Sequence, residues 1–205
     1  MVTYEMVKND PTVKVYIQKA GDALKAIGFS EHSFAHVCLV AEKAAYIMES
    51  LGYSEREVEL VKIAGYLHDI GNVVNRSDHS QSGAIMAFRI LDRMGMDPAE
   101  ISDIVMAIGN HDEGTGKPIS PMAAALIIAD KSDVRRSRVR DAEDTLGVVI
   151  KSLCLGDVTR DIHLHIDPAV EVIRIGCRSK NLTEYAVAKC SVKLVGYDRI
   201  HARTH

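Results

Sequence analysis

No stretch of this 205-residue chain runs for the roughly 18 uninterrupted apolar residues that a membrane-spanning helix needs, so no membrane span is expected. The opening residues Met1-Val2-Thr3-Tyr4-Glu5 lack a basic region followed by an apolar core, so no secretory signal is expected either. Cysteine is sparse. Cys38, Cys154, Cys177 and Cys190 stand far apart and form no Cys-x-x-Cys pair, which points to reduced thiols in a cytoplasmic protein, not to a disulfide frame or zinc knuckle. Positive charge is not in excess: a formal net charge of -3 argues against general nucleic-acid binding. Internal repeats and low-complexity tracts are absent. A nucleotide-binding P-loop is absent too. Gly114-Thr115-Gly116-Lys117-Pro118 follows no strand, has the wrong glycine spacing and puts proline where a hydroxyl residue is needed, so it reads as a surface turn.

What is present is a globular composition, 47% hydrophobic, on a chain long enough for one domain with a sizeable core and a small appendage. The spacing predicts a helix over 12–27, with Val13, Ile17, Ala20, Leu24 and Ile27 on one face and Gly28 just past its end. A second begins near Ser30–Ser33 and runs to Leu51, burying Val37, Val40, Ala41, Ala44 and Met48, with Gly52 closing it. Ser54-Glu55-Arg56-Glu57 is a capping box, and the helix it starts carries Val58, Val61, Ala64 and Leu67 inward. After a polar loop over 72–78, Ser77 or Asp78 caps a fourth helix that packs through Ala84, Ile85, Phe88 and Leu91 and ends at Gly95. Asp97-Pro98-Ala99-Glu100 starts a fifth, with Ile101, Ile104, Val105 and Ile108 inward. Ser120-Pro121 starts a sixth, nearly all apolar up to Asp130.

The stretch Tyr66-Leu67-His68-Asp69-Ile70-Gly71-Asn72 organises the rest. It delivers an imidazole and a carboxylate together at a helix end. Helical neighbours point about 100° apart, so both reach one centre only where the helix ends or distorts, and Gly71 is expected to permit that bend. His68 and Asp69 also read as helix-capping groups, but an anion at a helix C-terminus opposes the macrodipole, so Asp69 needs a cationic partner. His36 lies beside the apolar stripe of its helix, one turn after His32; a lone histidine there is more often a hydrogen-bonded core residue than a ligand. His79 opens a helix, where a solvated role is the default, and His111 closes one. Asp130 is the strongest single residue, because a carboxylate ending an apolar helix costs several kcal/mol unless it is paired or on a metal. A buried pair with an arginine is the alternative. Lys131, Arg135 and Arg138 then form one basic stripe, which is either a solvated face or a phosphate grip.

From about residue 150 the pattern changes. Ile162, Leu164 and Ile166 alternate with polar residues as a strand does, with His163 and His165 on its outward face. Ala188, Cys190, Val192 and Leu194 make a second strand, and the piece between, roughly 169–187, is a helix or a further strand, the helix being preferred. His201 and His205 fall in a tail expected to be unordered.

Imidazole nitrogens and carboxylate oxygens are the donors that divalent transition metals take near neutral pH, four to one ion, with further histidines available for a second. The order His36…His68-Asp69…Asp130, with Leu67-His68-Asp69-Ile70-Gly71 at its centre and Ala129-Asp130-Lys131-Ser132-Asp133 at its end, resembles the HD superfamily of metal-dependent phosphohydrolases over residues 32–140. The resemblance implies a mainly α helical bundle over 1–145. The change of pattern sets off 146–205 as a small α+β appendage, which matches no motif of the superfamily core. It implies His36, His68, Asp69 and Asp130 as ligands of a first ion, with His79 and His111 as the added histidines of two-metal members. Some members have His-His where this chain has His111-Asp112, and several have lysine where it has Asn72, so a phosphate contact from Asn72 would be uncharged. A glutamate three residues after Asp69 is also missing, which disfavours a single-metal nucleotidase of the His-Asp-x-x-Glu type.

The expectation is therefore a hydrolase for a phosphomonoester or phosphodiester of nucleotide-like chemistry, working through a metal-activated water. One or two divalent ions (Mn, Fe, Ni, Co or Zn, with Mg also suitable) are the cofactors. Asp69, His32 and Lys131 are the catalytic candidates: Asp69 bridges the ions and orients the water, His32 or a metal-bound water assists proton transfer, and Lys131 with one of Arg135 or Arg138 steadies the phosphate. Asn72, Lys131, Arg135 and Arg138 are the substrate-binding candidates. The expected partner is a small phosphorylated substrate, with a homodimer as an open alternative to a monomer. Two other readings stay open: a di-iron oxygenase of the same superfamily, and a module that binds a nucleotide or partner without turnover.

Overall fold

The computed structural model describes residues 1–29, 34–112 and 115–133 in full, together with the backbone of four short strands further on. Up to residue 133 every regular element among the described residues is helical: α1 Tyr4–Asn9, α2 Pro11–Ala26, α3 Phe34–Ser50, α4 Glu55–Leu67, a 3-10 turn Ile70–Val73, α5 His79–Arg93, α6 Pro98–Gly109 and α7 Pro121–Lys131. The mainly α expectation holds, and the helix starts follow local chemistry. Asp10, Asp97 and Ser120 cap α2, α6 and α7 through side-chain oxygens, each with proline at the first helical position. Ser54 and Glu57 form the reciprocal capping box of α4. Gly52 and Gly95 leave α3 and α5 at φ 80° and 75°, a region that favours glycine.

The site is framed by α3, α4, α6 and α7, with the first residue of α5 closing it. α3 packs along α4 and against α7, and α7 also touches α4 and α6. Val40, Ile47, Ile63, Leu67, Ile104, Ile108 and Leu126 fill the space between them. Two close approaches set the spacing. A Cβ on Gly65 would lie 2.7 Å from the Ala41 Cα, so α3 and α4 meet nearly backbone to backbone. A Cβ on Gly71 would lie 2.0 Å from the His79 carbonyl oxygen and 2.4 Å from the Gly83 nitrogen. Gly71 has no positive φ, so the expectation that it supplies a special bend is corrected. Glycine is needed there because α5 rests directly on its Cα.

Other differences have equally physical causes. On α5 the buried stripe is Gly83, Ala84, Ala87, Ile90 and Leu91, while Ile85 and Phe88 are 68% and 48% exposed. The small residues face in because α5 lies so close to the 3-10 turn. Asp78 precedes α5 in left-handed geometry, φ 56°, and makes no side-chain cap. Helix α1 was not anticipated; Thr3 caps it, and Asp10-Pro11 both ends it and starts α2.

The strands are β1 Ile162–Asp167, β2 Val172–Cys177, β3 Ala186–Ser191 and β4 His201–Arg203, an antiparallel sheet in that order. β1 and β3 lie where alternation placed strands. The preferred helix between them is replaced in part by β2, whose Val172-Ile173-Arg174-Ile175 alternates as a strand does. His201, expected in an unordered tail, lies in β4. The domain boundary at 145/146, His205, and the second helix's start at Ser30–Ser33 lie outside the described residues.

Candidate metal centre

Three of the four site histidines are built by one local device. His68 and His111 each stand one residue past a helix or its cap, and His79 opens α5. Each Nδ1 faces the carbonyl three residues back: His68 to Gly65 at 2.8 Å, His79 to Arg76 at 3.1 Å, and His111 to Ile108 at 2.7 Å. A carbonyl accepts only, so Nδ1 carries the proton in each ring and Nε2 presents a lone pair. At the end of α4 this bond also occupies one of the last carbonyls of the helix, which lack onward helical partners. The capping reading of His68 is met by Nδ1, which leaves Nε2 available to a ligand. His36 differs: its Nδ1 lies 2.7 Å from Asp133 Oδ2, with both side chains fully buried.

The Nε2 atoms converge on two carboxylates. Asp69 Oδ2 lies 3.5 Å from His36 Nε2 and 3.3 Å from His68 Nε2. Asp130 Oδ1 lies 3.3 Å and 3.7 Å from the same two nitrogens. The other oxygen of Asp69, Oδ1, faces His79 Nε2 at 3.5 Å and His111 Nε2 at 4.0 Å. Those two nitrogens are 3.2 Å apart, and Asp112 Oδ1 is 3.9 Å from His79. Asp69 thus turns one oxygen to each pair of imidazoles. Its orientation is held by Asn72, whose Nδ2 donates to both the Asp69 carbonyl and Oδ1 at 2.9 Å.

This donor set fits divalent ions. With bonds of about 2.1 Å, ligand atoms 90° apart lie about 3.0 Å from each other and atoms 109° apart about 3.4 Å. The first four distances fall at or near that range. The His68 Nε2 atom is buried and makes no hydrogen bond among the described residues. An uncompensated buried lone pair is costly unless something binds it. The Nε2 atoms of His79 and His111 face each other as two acceptors, which a shared cation would reconcile. His36, His68 and Asp130 form one group whose ligand atoms all lie within 4.8 Å; His68, Asp69 and His111 form another.

Electrostatics agree. Burial pushes His111 down to about 4, with His68 adding to the effect and Asp130 and Asp69 opposing it. Burial likewise lowers His79, against the pull of Asp69. For Asp130, burial alone would raise the pKa, but the contact with His36 and the charge of Lys131 outweigh it and hold the carboxyl well below its usual range. All are therefore in the ligand-competent state at neutral pH. The buried-pair alternative for Asp130 is met by Lys131, not an arginine, and on the far oxygen: Lys131 Nζ lies 2.8 Å from Oδ2, leaving Oδ1 to the imidazoles.

All six expected metal ligands therefore come together. Lys131 lies beside them with its ammonium on Asp130. Asn72 is 2% exposed and spends its amide on Asp69, so its contacts are those of an orienting group. The candidates His32, Arg135 and Arg138 lie outside the described residues. Sequence reading missed Asp133 and Arg76. The signal for Asp133 was its place one helical turn after Asp130. For Arg76 there was only its place in the polar segment before His79.

Among the described residues no helix is long and apolar enough to cross a membrane. The chain is 24% identical over 162 residues to the "Uncharacterized protein MJ1020" of Methanocaldococcus jannaschii; the match takes in 68% of this chain and 62% of that protein's length. Among solved structures, a "predicted HD superfamily hydrolase" from an uncultured Thermotogales bacterium aligns with 73% of this chain and 94% of its own. The TM-score of that match is 0.46 and the identity 22%. The model of the HD domain matches residues 33–135, from the turn before His36 to just past Asp133. That span is half the chain and contains every candidate ligand described above, and this protein belongs to the HD-domain family.

Proposed function

We propose that this protein is a metal-dependent phosphohydrolase acting on a phosphomonoester or phosphodiester of nucleotide-like chemistry. The observation that carries the reading is Asp69 dividing its two oxygens between the His36/His68 pair and the His79/His111 pair. Ions held by these residues would lower the pKa of a bound water and offset the charge that builds on phosphoryl oxygens.

The chain's own residues do the rest. Asn72 fixes the plane of the Asp69 carboxylate, so its two oxygens cannot rotate away from their partners. Backbone carbonyls and Asp133 lock the four imidazole rings with Nε2 inward. Lys131 offsets the charge of Asp130 on the side away from the imidazoles. The burial of His36, His68 and His111 keeps bulk water off the donor atoms, which strengthens every charge interaction there.

The test is a panel of nucleotide and non-nucleotide phosphoesters with Mn, Ni, Co, Mg and Fe, run on the wild type and Asp69→Ala. Metal-dependent ester hydrolysis that disappears in the variant together with bound metal supports the assignment. Hydrolysis retained by Asp69→Ala rejects it. Oxygen uptake by the iron-loaded protein without ester turnover would place it with the oxidative members instead, and ligand binding without turnover under every metal would make it a binding module.

A further inference from the structure

Arg76 stands at the edge of the second ligand set and is not accounted for by the fold. It lies in the turn between the 3-10 segment and α5. One terminal nitrogen is 3.3 Å from His79 Nε2 and 3.4 Å from Asn72 Oδ1. Its guanidinium carbon lies 5.4 Å from the centroid of the half-exposed Phe29 ring, over the face, which holds the fork in place. Among the described residues these are its contacts, and no carboxylate pairs with it. Among the described residues Nε and the second terminal nitrogen donate to no acceptor.

The contact with His79 is the informative one. His79 donates through Nδ1 to the Arg76 carbonyl, so Nε2 holds the lone pair that accepts from the Arg76 guanidinium. That lone pair is also the one aimed at Asp69 Oδ1 and His111. It cannot serve the guanidinium and an ion at once. When an ion takes it, Arg76 loses that acceptor and is left as a positive fork beside a divalent cation. Two like charges that close favour an anion between them, in addition to the Asp69 and Asp112 carboxylates beside His79. A planar fork with free donors, held against an aromatic face, matches phosphate oxygens.

We propose that Arg76 is the residue that grips the phosphate group of the substrate on the His79/His111 side of the centre. This rests on the phosphohydrolase reading and adds to it the side from which the phosphate is held. Arg76 is thus a switchable donor, on His79 before loading and on phosphate afterwards.

The experiment measures binding of inorganic phosphate to the Mn-loaded full chain by calorimetry, for wild type, Arg76→Ala and Arg76→Lys, with Mn stoichiometry and melting temperature measured alongside. The expected result is phosphate binding weakened about tenfold or more in Arg76→Ala, partly restored in Arg76→Lys, with Mn stoichiometry unchanged. The lysine variant keeps the stem and charge and carries the test should the alanine variant fail to fold. Equal phosphate affinity in all three proteins overturns the proposal while leaving the phosphohydrolase reading intact. So does a loss that tracks missing Mn, since Arg76 would then only brace His79. A Mn-loaded wild type that neither binds phosphate nor hydrolyses any ester overturns both.

Discussion

His36 is anchored unlike the other three histidines, because its Nδ1 faces the buried Asp133 carboxylate where theirs face backbone carbonyls. A carboxylate behind an imidazole fixes the tautomer and makes the far nitrogen a stronger donor. Asp133→Asn keeps the shape and removes the charge. Its metal affinity, measured by chelator competition, should fall about 10- to 100-fold with the helical signal unchanged. A variant that holds metal as tightly as the wild type would show Asp133 to be packing only. His111 gives a pH prediction for the chelator-treated protein. Its folded pKa is about 4, pushed down first by burial, against 6.5 unfolded. Between those values the unfolded chain binds the proton and the native one does not. Stability is therefore full above about 6.5 and is lost as pH falls toward 4, by on the order of a few kcal/mol, and His79 works in the same direction. Urea unfolding at several pH values should show a shallower slope in His111→Gln; equal slopes would remove this residue from the explanation.

At the scale of elements, two glycines set the distances between ligands. Gly65 lets α3 lie against α4, which fixes how far His36 stands from His68, ring centroids 5.2 Å apart. Gly65→Ala should cost about 1–3 kcal/mol through overpacking and lower the melting temperature by roughly 2–4 °C per kcal/mol. Metal binding should weaken with it. A full-strength site in a destabilised Gly65→Ala protein would separate packing from ligand spacing. Much of this arrangement was legible in the sequence. Caps and apolar spacing marked α2 to α7, and Asp130 ending an apolar helix pointed to a buried charge that needed partners. The rest was not legible, for reasons of range. Ile85 and Phe88 satisfied the helical spacing as well as Ala87 and Ile90 do, and only the closeness of α5 to Gly71 decides between the two stripes. Asp133 meets His36 across 97 residues, a pairing that spacing does not reveal, and Arg76 meets Asn72 within an irregular turn that has no hydrophobic period.

For the whole molecule, a candidate metal centre tied to α3, α4, α5, α6 and α7 would couple ion binding to folding. Ligands from five places must be held together against charge repulsion, and an ion that binds only the native state stabilises it by about 4 kcal/mol at a thousandfold excess over its dissociation constant. Chelation should therefore lower the melting temperature of the wild type by several degrees and leave Asp69→Ala unmoved. A chelator-insensitive wild type would mean that the helices hold the site without metal. The chain's match spans 62% of the Methanocaldococcus relative's length.

The most direct measurement is a calorimetric titration of Mn into chelator-stripped wild type, His79→Ala and Asp69→Ala. Two ligand sets sharing Asp69 lead to two ions per chain in the wild type, one in His79→Ala and no tight binding in Asp69→Ala. Tight binding of two ions by Asp69→Ala, or none by the wild type, would contradict the bridging role of Asp69 and the phosphohydrolase reading built on it.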